Sequence, residues 1–402
     1  MNSNKINLYI LCLIILILDG AHSLITSIYL PGFRTLLGLL TMCLFIVIYP
    51  SKKKITLPAL LVYVIIVIGS VIQHRGDVLF SFVSRLPVLT LFLLKQEYLK
   101  TIADRIDKFF FVVISISFVL YVFANLLDVP LPYQKEVYNQ YNLHNYYYIY
   151  TNSINYGIKF TGFTLEPGYF SLLCICLLAL NEFNFNKKSS CVYATAILFS
   201  LSLEGYILLI VGLIVSAICR EGRVSKTIKY VLIVIGIIIS GIYIALNYNG
   251  GDNAVSEFII ERLVFDDEKG IIGNNRESLT AELVIDPVFY SDRVWLGIGE
   301  TEFYDLVHGL DMCSWRGFVL IYGAIYTILL IVISIIGLSR TVIRKTIPFF
   351  VIYWMDFIPH GGPFFEVMYF IVIIYLLNWD NKQFLPKNYR TSRDYGTSFI
   401  RN

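Results

Sequence analysis

The sequence predicts an all-α, polytopic membrane protein with about twelve transmembrane helices and one large loop on the outer side. Three observations lead there. The residues are 57% hydrophobic and only 15% charged, whereas a soluble domain carries about 25% charged residues. The mean hydropathy is +0.68. The apolar runs are continuous rather than alternating, which suits helices crossing hydrocarbon and not a transmembrane β-barrel. The net charge of +3 decides little; the sorting of charge along the chain is more informative. No 20–50-residue repeat is visible, so residues 1–402 read as one integral membrane domain.

The predicted crossings are 7–19, 35–49, 57–72, 78–94, 109–127, 161–181, 191–203, 206–219, 227–246, 314–338, 346–358 and 364–378. The first has a short apolar core and a poor small-residue cleavage motif, so it reads as an uncleaved helix rather than a signal peptide. The pair 191–203 and 206–219 could instead be one long helix, which would move every later loop to the other side. The distribution of basic residues arbitrates. If 191–219 crosses twice, one side collects Lys5, Lys52, Lys53, Lys54, Lys95, Lys100, Arg105, Lys108, Lys187, Lys188, Arg220, Arg223, Lys226, Lys229, Arg340, Arg344, Lys345 and the five bases of the tail. That is 22 of the 32 basic residues. This side is assigned as cytoplasmic, with both termini on it. The outer side receives the two longest loops, 128–160 and 247–312.

The seven cysteines lie mostly in or beside apolar spans, so no disulfide framework is implied. Cys174 and Cys176 are two apart, on different helix faces, and read as small apolar packing rather than a metal site. No metal and no cofactor is implied.

Four segments could carry chemistry. The first runs from Lys159 through Gly162 to Glu166-Pro167. Proline is tolerated at the first helical position, and an acid there suits the helix dipole. The apolar run that follows is about 15 residues, or about 22 Å, short of the ~30 Å hydrocarbon core. Either Glu166 lies below the outer surface, or the helix starts earlier and kinks at Pro167. A carboxylate at that depth costs a few kcal/mol unless paired or wet. The bland alternative is a capping acid paired with Lys159.

The second segment is the loop at 247–311, which holds fourteen acids and four bases. Arg262, Arg276 and Arg293 each have acids beside them in sequence. They read either as surface ion pairs of little worth or as guanidinium forks for phosphate. The run Asp266-Asp267-Glu268 reads as a solvated acidic stretch. The third set is histidine: His308 in this loop and His360 between the last two spans could each act as a general base near neutral pH, or be plain polar loop residues. The fourth is the tyrosine-rich run 133–156, suited to the membrane interface or to stacking on sugar faces.

In these segments the chain resembles the Wzy O-antigen polymerases, within the polymerase and O-antigen ligase superfamily. Lys159-x-x-Gly162-Phe163-x-x-Glu166-Pro167 resembles the family's basic-x-x-Gly…Glu-Pro segment at the start of a mid-chain helix; arginine is usual where Lys159 stands. Arg262, then Gly273-Asn274-Asn275-Arg276, resembles the arginine-rich outer loop. Leu296-Gly297-Ile298-Gly299, then Asp311 and Trp315…Gly323, resembles the Gly-x-Gly and acidic segment leading into the next span. The ligase branch usually has a histidine-asparagine pair before that helix. Here the chain reads Asp311-Met312-Cys313-Ser314, which favours polymerase.

The resemblance implies a GT-C-like glycosyltransferase in a bacterial inner membrane. Its donor would be a growing glycan on undecaprenyl pyrophosphate, and its acceptor one lipid-linked repeat unit, joined at the periplasmic face. It implies Glu166 as base for the acceptor hydroxyl, with His308 and His360 as rivals. It implies Arg262, Arg276 and then Arg293 as pyrophosphate ligands, with Asp311 also contacting substrate and Lys159 either orienting Glu166 or touching phosphate. A chain-length regulator and a flippase would be partners; nucleic acid would not. The competing readings are a ligase that moves finished glycan onto lipid A core, and, outside the enzymes, a flippase of the same lipid-linked oligosaccharide. A flippase should show two similar halves, which the hydropathy lacks.

Overall fold

The computed structural model describes residues 3–21, 23, 25–26, 30, 33–48, 63–64, 67–68, 86–87, 90–91, 94, 96–132, 134–138, 142–147, 149–153, 158–219, 224–248, 253, 256–261, 265–266, 270–271, 279–307, 314–339 and 343–360. Most of these are helical. The first half holds α1 (Ser3–Gly20), α2 (Arg34–Ile48) and α3 (Gln96–Tyr121), the last continuing as a π-helical turn at Val122–Leu126. Strands β1 (Gln134–Tyr138), β2 (Asn142–Tyr147) and β3 (Tyr150–Ser153) follow, then α4 (Pro167–Leu180), α5 (Lys188–Phe199), α6 (Leu203–Cys219) and α7 (Val224–Asn247). The large loop contains a π-helical turn (Ser256–Ile260), two-residue strands β4 (Phe265–Asp266) and β5 (Gly270–Ile271), α8 (Leu279–Phe289), a 3-10 turn (Asp292–Trp295) and α9 (Gly299–Val307). Helices α10 (Trp315–Tyr322), α11 (Ala324–Ser339) and α12 (Ile343–His360) complete the described chain.

Helix α4 is the centre. Its sequence PGYFSLLCICLLAL has no polar face, and every residue from Phe170 to Leu180 is buried. A helix that is apolar all round must be covered all round. Helices α3, α5, α6 and α12 supply that cover. Cys174 and Cys176 are buried within it as small packing groups.

Tertiary hydrogen bonds fix the helix directions. Phe160 N donates to Phe199 O at 2.9 Å, and the Tyr206 hydroxyl donates to Leu198 O at 2.6 Å. The start of α4, the end of α5 and the start of α6 therefore share one end. The π-helical turn joins them there, because the Tyr121 hydroxyl donates to Ile158 O at 2.8 Å. So does the chain just after α1, through a bridge between Ser23 and Thr164.

The opposite end is held by a polar knot around Asp107 of α3. Asn181 Nδ2 donates to Asp107 Oδ1 at 2.6 Å and to Ser189 Oγ at 3.0 Å. Ser189 Oγ donates to Asp107 Oδ2 at 3.1 Å, and the Tyr193 hydroxyl donates to Asp107 O at 2.8 Å and Oδ1 at 2.9 Å. Lys187 Nζ donates to Asn181 Oδ1 at 2.7 Å. Lys100, Arg105, Lys108, Lys187 and Lys188 thus belong to one end of the bundle.

Residues 191–219 form two helices, α5 and α6, as the two-span reading expects, separated at 200–202, where Leu201 takes a φ of +47°. Other elements differ from the expectation. The expected single span 314–338 is broken at Gly323 into α10 and α11, bent by 107°. The segment read as a long loop at 128–160 contains an antiparallel meander in the order β1-β2-β3. Its tyrosines favour pleated strands over a helix, and its asparagines suit the short connections between them. Among the described residues one helix, Tyr98–Leu126, is long and apolar enough by itself to cross a membrane, and the bent pair α10–α11 passes the same test only jointly. The expected spans 57–72, 78–94 and 364–378 lie wholly or mostly outside the described residues.

Removing the Asp107 carboxylate takes an acceptor from Asn181, Ser189 and Tyr193 together, although Tyr193 keeps the Asp107 carbonyl and Asn181 keeps Ser189 Oγ. Asp107→Ala should cost about 2–3 kcal/mol, read as a lower thermal unfolding midpoint in detergent. Asp107→Asn keeps one acceptor and should cost less.

Candidate functional site

The site is built on the corner at 159–167, where the chain turns into α4. Lys159 is only 3% exposed, and Phe160 and Thr161 are fully buried. Gly162 takes a φ of +58°, and the Phe170 ring lies where its Cβ would be. Only glycine combines that backbone with that contact. Thr151 N donates to Gly162 O at 2.6 Å, and the Thr161 hydroxyl donates to Thr151 O, so β3 is tied to the corner by two hydrogen bonds. The Thr164 hydroxyl lies 2.9 Å from both Thr161 O and Glu166 O.

Glu166 is the residue before the helix, extended at φ −136° and ψ 144°, with Pro167 at the first helical position. The helix begins there and does not start earlier with a kink. The Glu166 side chain makes no capping hydrogen bond, so simple capping does not account for the carboxylate.

Aromatic rings wall the corner. Phe160 meets Phe170 edge-on at 4.8 Å and Tyr121 at 5.1 Å; Phe163 meets Phe170 at 6.0 Å. Tyr150 is fully buried against Tyr121 and Phe160. Its hydroxyl accepts from Asn125 Nδ2, and Asn152 Nδ2 donates to Asn125 Oδ1 at 2.8 Å. Tyr150 of the tyrosine-rich run is therefore a core residue and not an interfacial one. The side chains of the run's other tyrosines lie outside the described residues.

The start of α6 completes this end. Ser202 Oγ accepts from Gly205 N at 3.2 Å, which caps the helix. Glu204 stands in the first turn. A Cβ on Gly205 would sit 2.6 Å from Ser171 Cβ, so the first turns of α4 and α6 are in direct contact.

The large loop folds a second small core onto α10, made by Ile285, Phe303, Val307 and Leu320. Gly297 and Gly323 close it. Both have positive φ, +79° and +90°, and a Cβ on Gly297 would lie 2.6 Å from Gly323 N and Ile321 O. Ile298 N donates to Leu320 O at 2.7 Å. The unit meets the bundle where Phe318 packs edge-on against Phe357 of α12 at 5.1 Å. Arg316, with a side chain 14% exposed, pairs with Asp286 and lies 5.0 Å from the Phe289 ring centroid. Arg293 is exposed and pairs with Glu302 at 2.5 Å, not with its sequence neighbour Asp292.

Of the expected site residues, the structure thus places Lys159 and Glu166 in one corner and Arg293 on the loop unit. Arg262, Arg276, His308 and Asp311 lie outside the described residues, as does the side chain of His360, whose backbone ends α12. Sequence reading missed Glu204, Arg316 with Asp286, and the Asp107 knot. The available signals were Ser202 two residues before Glu204, and Asn181 at the end of an apolar run.

Gly162→Ala meets both a left-handed backbone and the Phe170 ring. It should cost about 2–4 kcal/mol, seen as a lower unfolding midpoint that Phe170→Leu restores in part. Arg293→Ala should change stability by less than about 1 kcal/mol; a loss of function with that variant would then report substrate contact and not misfolding. No protein-family model, no curated protein and no solved structure matches this chain.

Proposed function

We propose that this chain is a polytopic glycosyltransferase of about twelve spans, GT-C-like in architecture, that polymerises lipid-linked oligosaccharide repeat units. In this reading it sits in a bacterial inner membrane with both termini cytoplasmic, and the 159–167 corner faces the periplasm. One observation carries the reading. The segment that resembles the polymerase motif forms a rigid corner with a buried lysine and a glutamate that does not cap its helix.

The chemistry follows. A hydroxyl of the acceptor repeat unit attacks the anomeric carbon of the donor glycan. The bond from that carbon to the pyrophosphate oxygen breaks, and undecaprenyl pyrophosphate leaves. The hydroxyl proton passes to Glu166, with His308 or His360 as the alternative base. Negative charge builds on the bridging oxygen as the bond breaks, and fixed guanidinium groups stabilise it. Arg262 and Arg276 take that role first, and Arg293 next, by exchanging Glu302 for phosphate. Asp311 contacts substrate, and Lys159 orients Glu166. No metal or cofactor is required. The helix α4, about 21 Å long, is shorter than the hydrocarbon core of about 30 Å. The proposed site therefore lies below the outer membrane surface, where lipid tails reach it from the side.

In a strain lacking this gene, the surface glycan ladder should collapse to one repeat on core. Free polymer without core attachment would mean a ligase, and no surface repeat at all would mean a flippase. Arg262→Ala and Arg276→Ala should each abolish polymer while the single-repeat product persists; normal ladders in both remove the pyrophosphate assignment. Glu166→Gln should also lose polymer, and wild-type chain lengths in that variant exclude it as the base.

A further inference from the structure

We infer that Glu204 is the counter-charge of Lys159, and that the Lys159 ammonium bridges Glu204 and Glu166 and so sets where the Glu166 carboxylate stands. The inference rests on the polymerase reading for its functional consequence, though not for the pairing itself. It begins with burial. Lys159 is 3% exposed, and a lysine is almost never so buried without an acidic partner. An ammonium carries three donors, enough for two carboxylates.

The described acids in or next to the segments tied to this corner are Asp19, Asp128, Glu166 and Glu204, while Asp356 of α12 lies beside Cys176, further along α4. Asp128 is exposed. Asp19 lies at the end of α1, which meets this segment through the bridge between Ser23 and Thr164. Glu204 is favoured by backbone connection. Phe160, next to Lys159, donates its N–H to Phe199 O at 2.9 Å. From Phe199 the chain turns at once through 200–202 into α6, where Glu204 stands in the first turn. Contact between Gly205 and Ser171 brings that turn against the first turn of α4, directly after Glu166. Lys159 is thus flanked by two helix starts, each with one glutamate. Half-burial of Glu204 keeps this pair away from bulk solvent, where an ion pair would be worth little.

The test is a double-variant cycle in the full-length protein, read as thermal unfolding in detergent and as the glycan ladder in cells. Glu204→Gln and Lys159→Met should each lower the unfolding midpoint by several degrees, because each removes one half of the Lys159–Glu204 pair and leaves the other charge under-compensated. The double variant should recover most of that loss. If Glu204→Gln lowers the midpoint equally with and without Lys159→Met, Glu204 only supports its helix start and the pairing is overturned. If Asp19→Asn shows the coupling instead, the assignment to Glu204 is likewise overturned. The ladder separates positioning from folding. A double variant with restored stability should still show only single repeats, and a wild-type ladder would overturn the positioning role. The thermal cycle decides the pairing even if the deletion strain shows that the polymerase reading is wrong.

Discussion

The constraint on which the rest depends is the burial of α4 on every side. A helix without a polar face cannot be stable at a surface that water or head groups reach. Lipid or other helices must surround it, and here the helices α3, α5, α6 and α12 do. Once α4 is enclosed, both of its ends become fixed points inside the bundle. What stands at those ends is then held by the packing of the whole molecule and not by local turn chemistry.

The two ends solve that burial differently. At Leu180 the chain leaves through Asn181, which joins Asp107, Ser189 and Lys187 in a network of short hydrogen bonds. A network so fully connected rigidifies its surroundings, and here it locks α3 to the hairpin of α4 and α5. At Pro167 the chain enters over a glycine pressed against Phe170, among packed aromatic rings. There the charged groups are Lys159, Glu166 and Glu204. The first end is a staple; the second gathers charge in a sheltered corner, which is the arrangement the proposed chemistry uses.

The acidic loop has a parallel logic. Its small core and the back-to-back approach of Gly297 and Gly323 fold it down onto α10. Its acids then meet arginines across helices: Asp286 of α8 reaches Arg316 of α10, and Glu302 of α9 reaches Arg293 of the 3-10 turn. The excess of acid in this loop is therefore consistent with positioning a few guanidinium groups rather than attracting an anion by net charge. The same glycine contact breaks the apolar run at Gly323, because a φ of +90° cannot continue a helix.

Much of the helical framework was legible in the sequence, because continuous apolar runs and prolines report local physics. The start of α4 at Pro167, the separation of α5 from α6 and the shared end of Lys108 and Lys187 all follow from such signals. Gly162 and Gly297 could be marked as motif residues, but their reason was hidden. A φ value and a ring eight residues away along the chain are not properties of a local window. The bend at Gly323 was hidden for the same cause, since hydropathy sums across a break without seeing it. The Asp107 knot joins residues 74 to 86 positions apart, and the tie between Phe160 and Phe199 that brings Glu204 to Lys159 is also long-range. Sequence alone determined which stretches must be helical and where charge could not be cheap. Only the tertiary structure decided which charges share a corner, because that depends on how an all-apolar helix is surrounded.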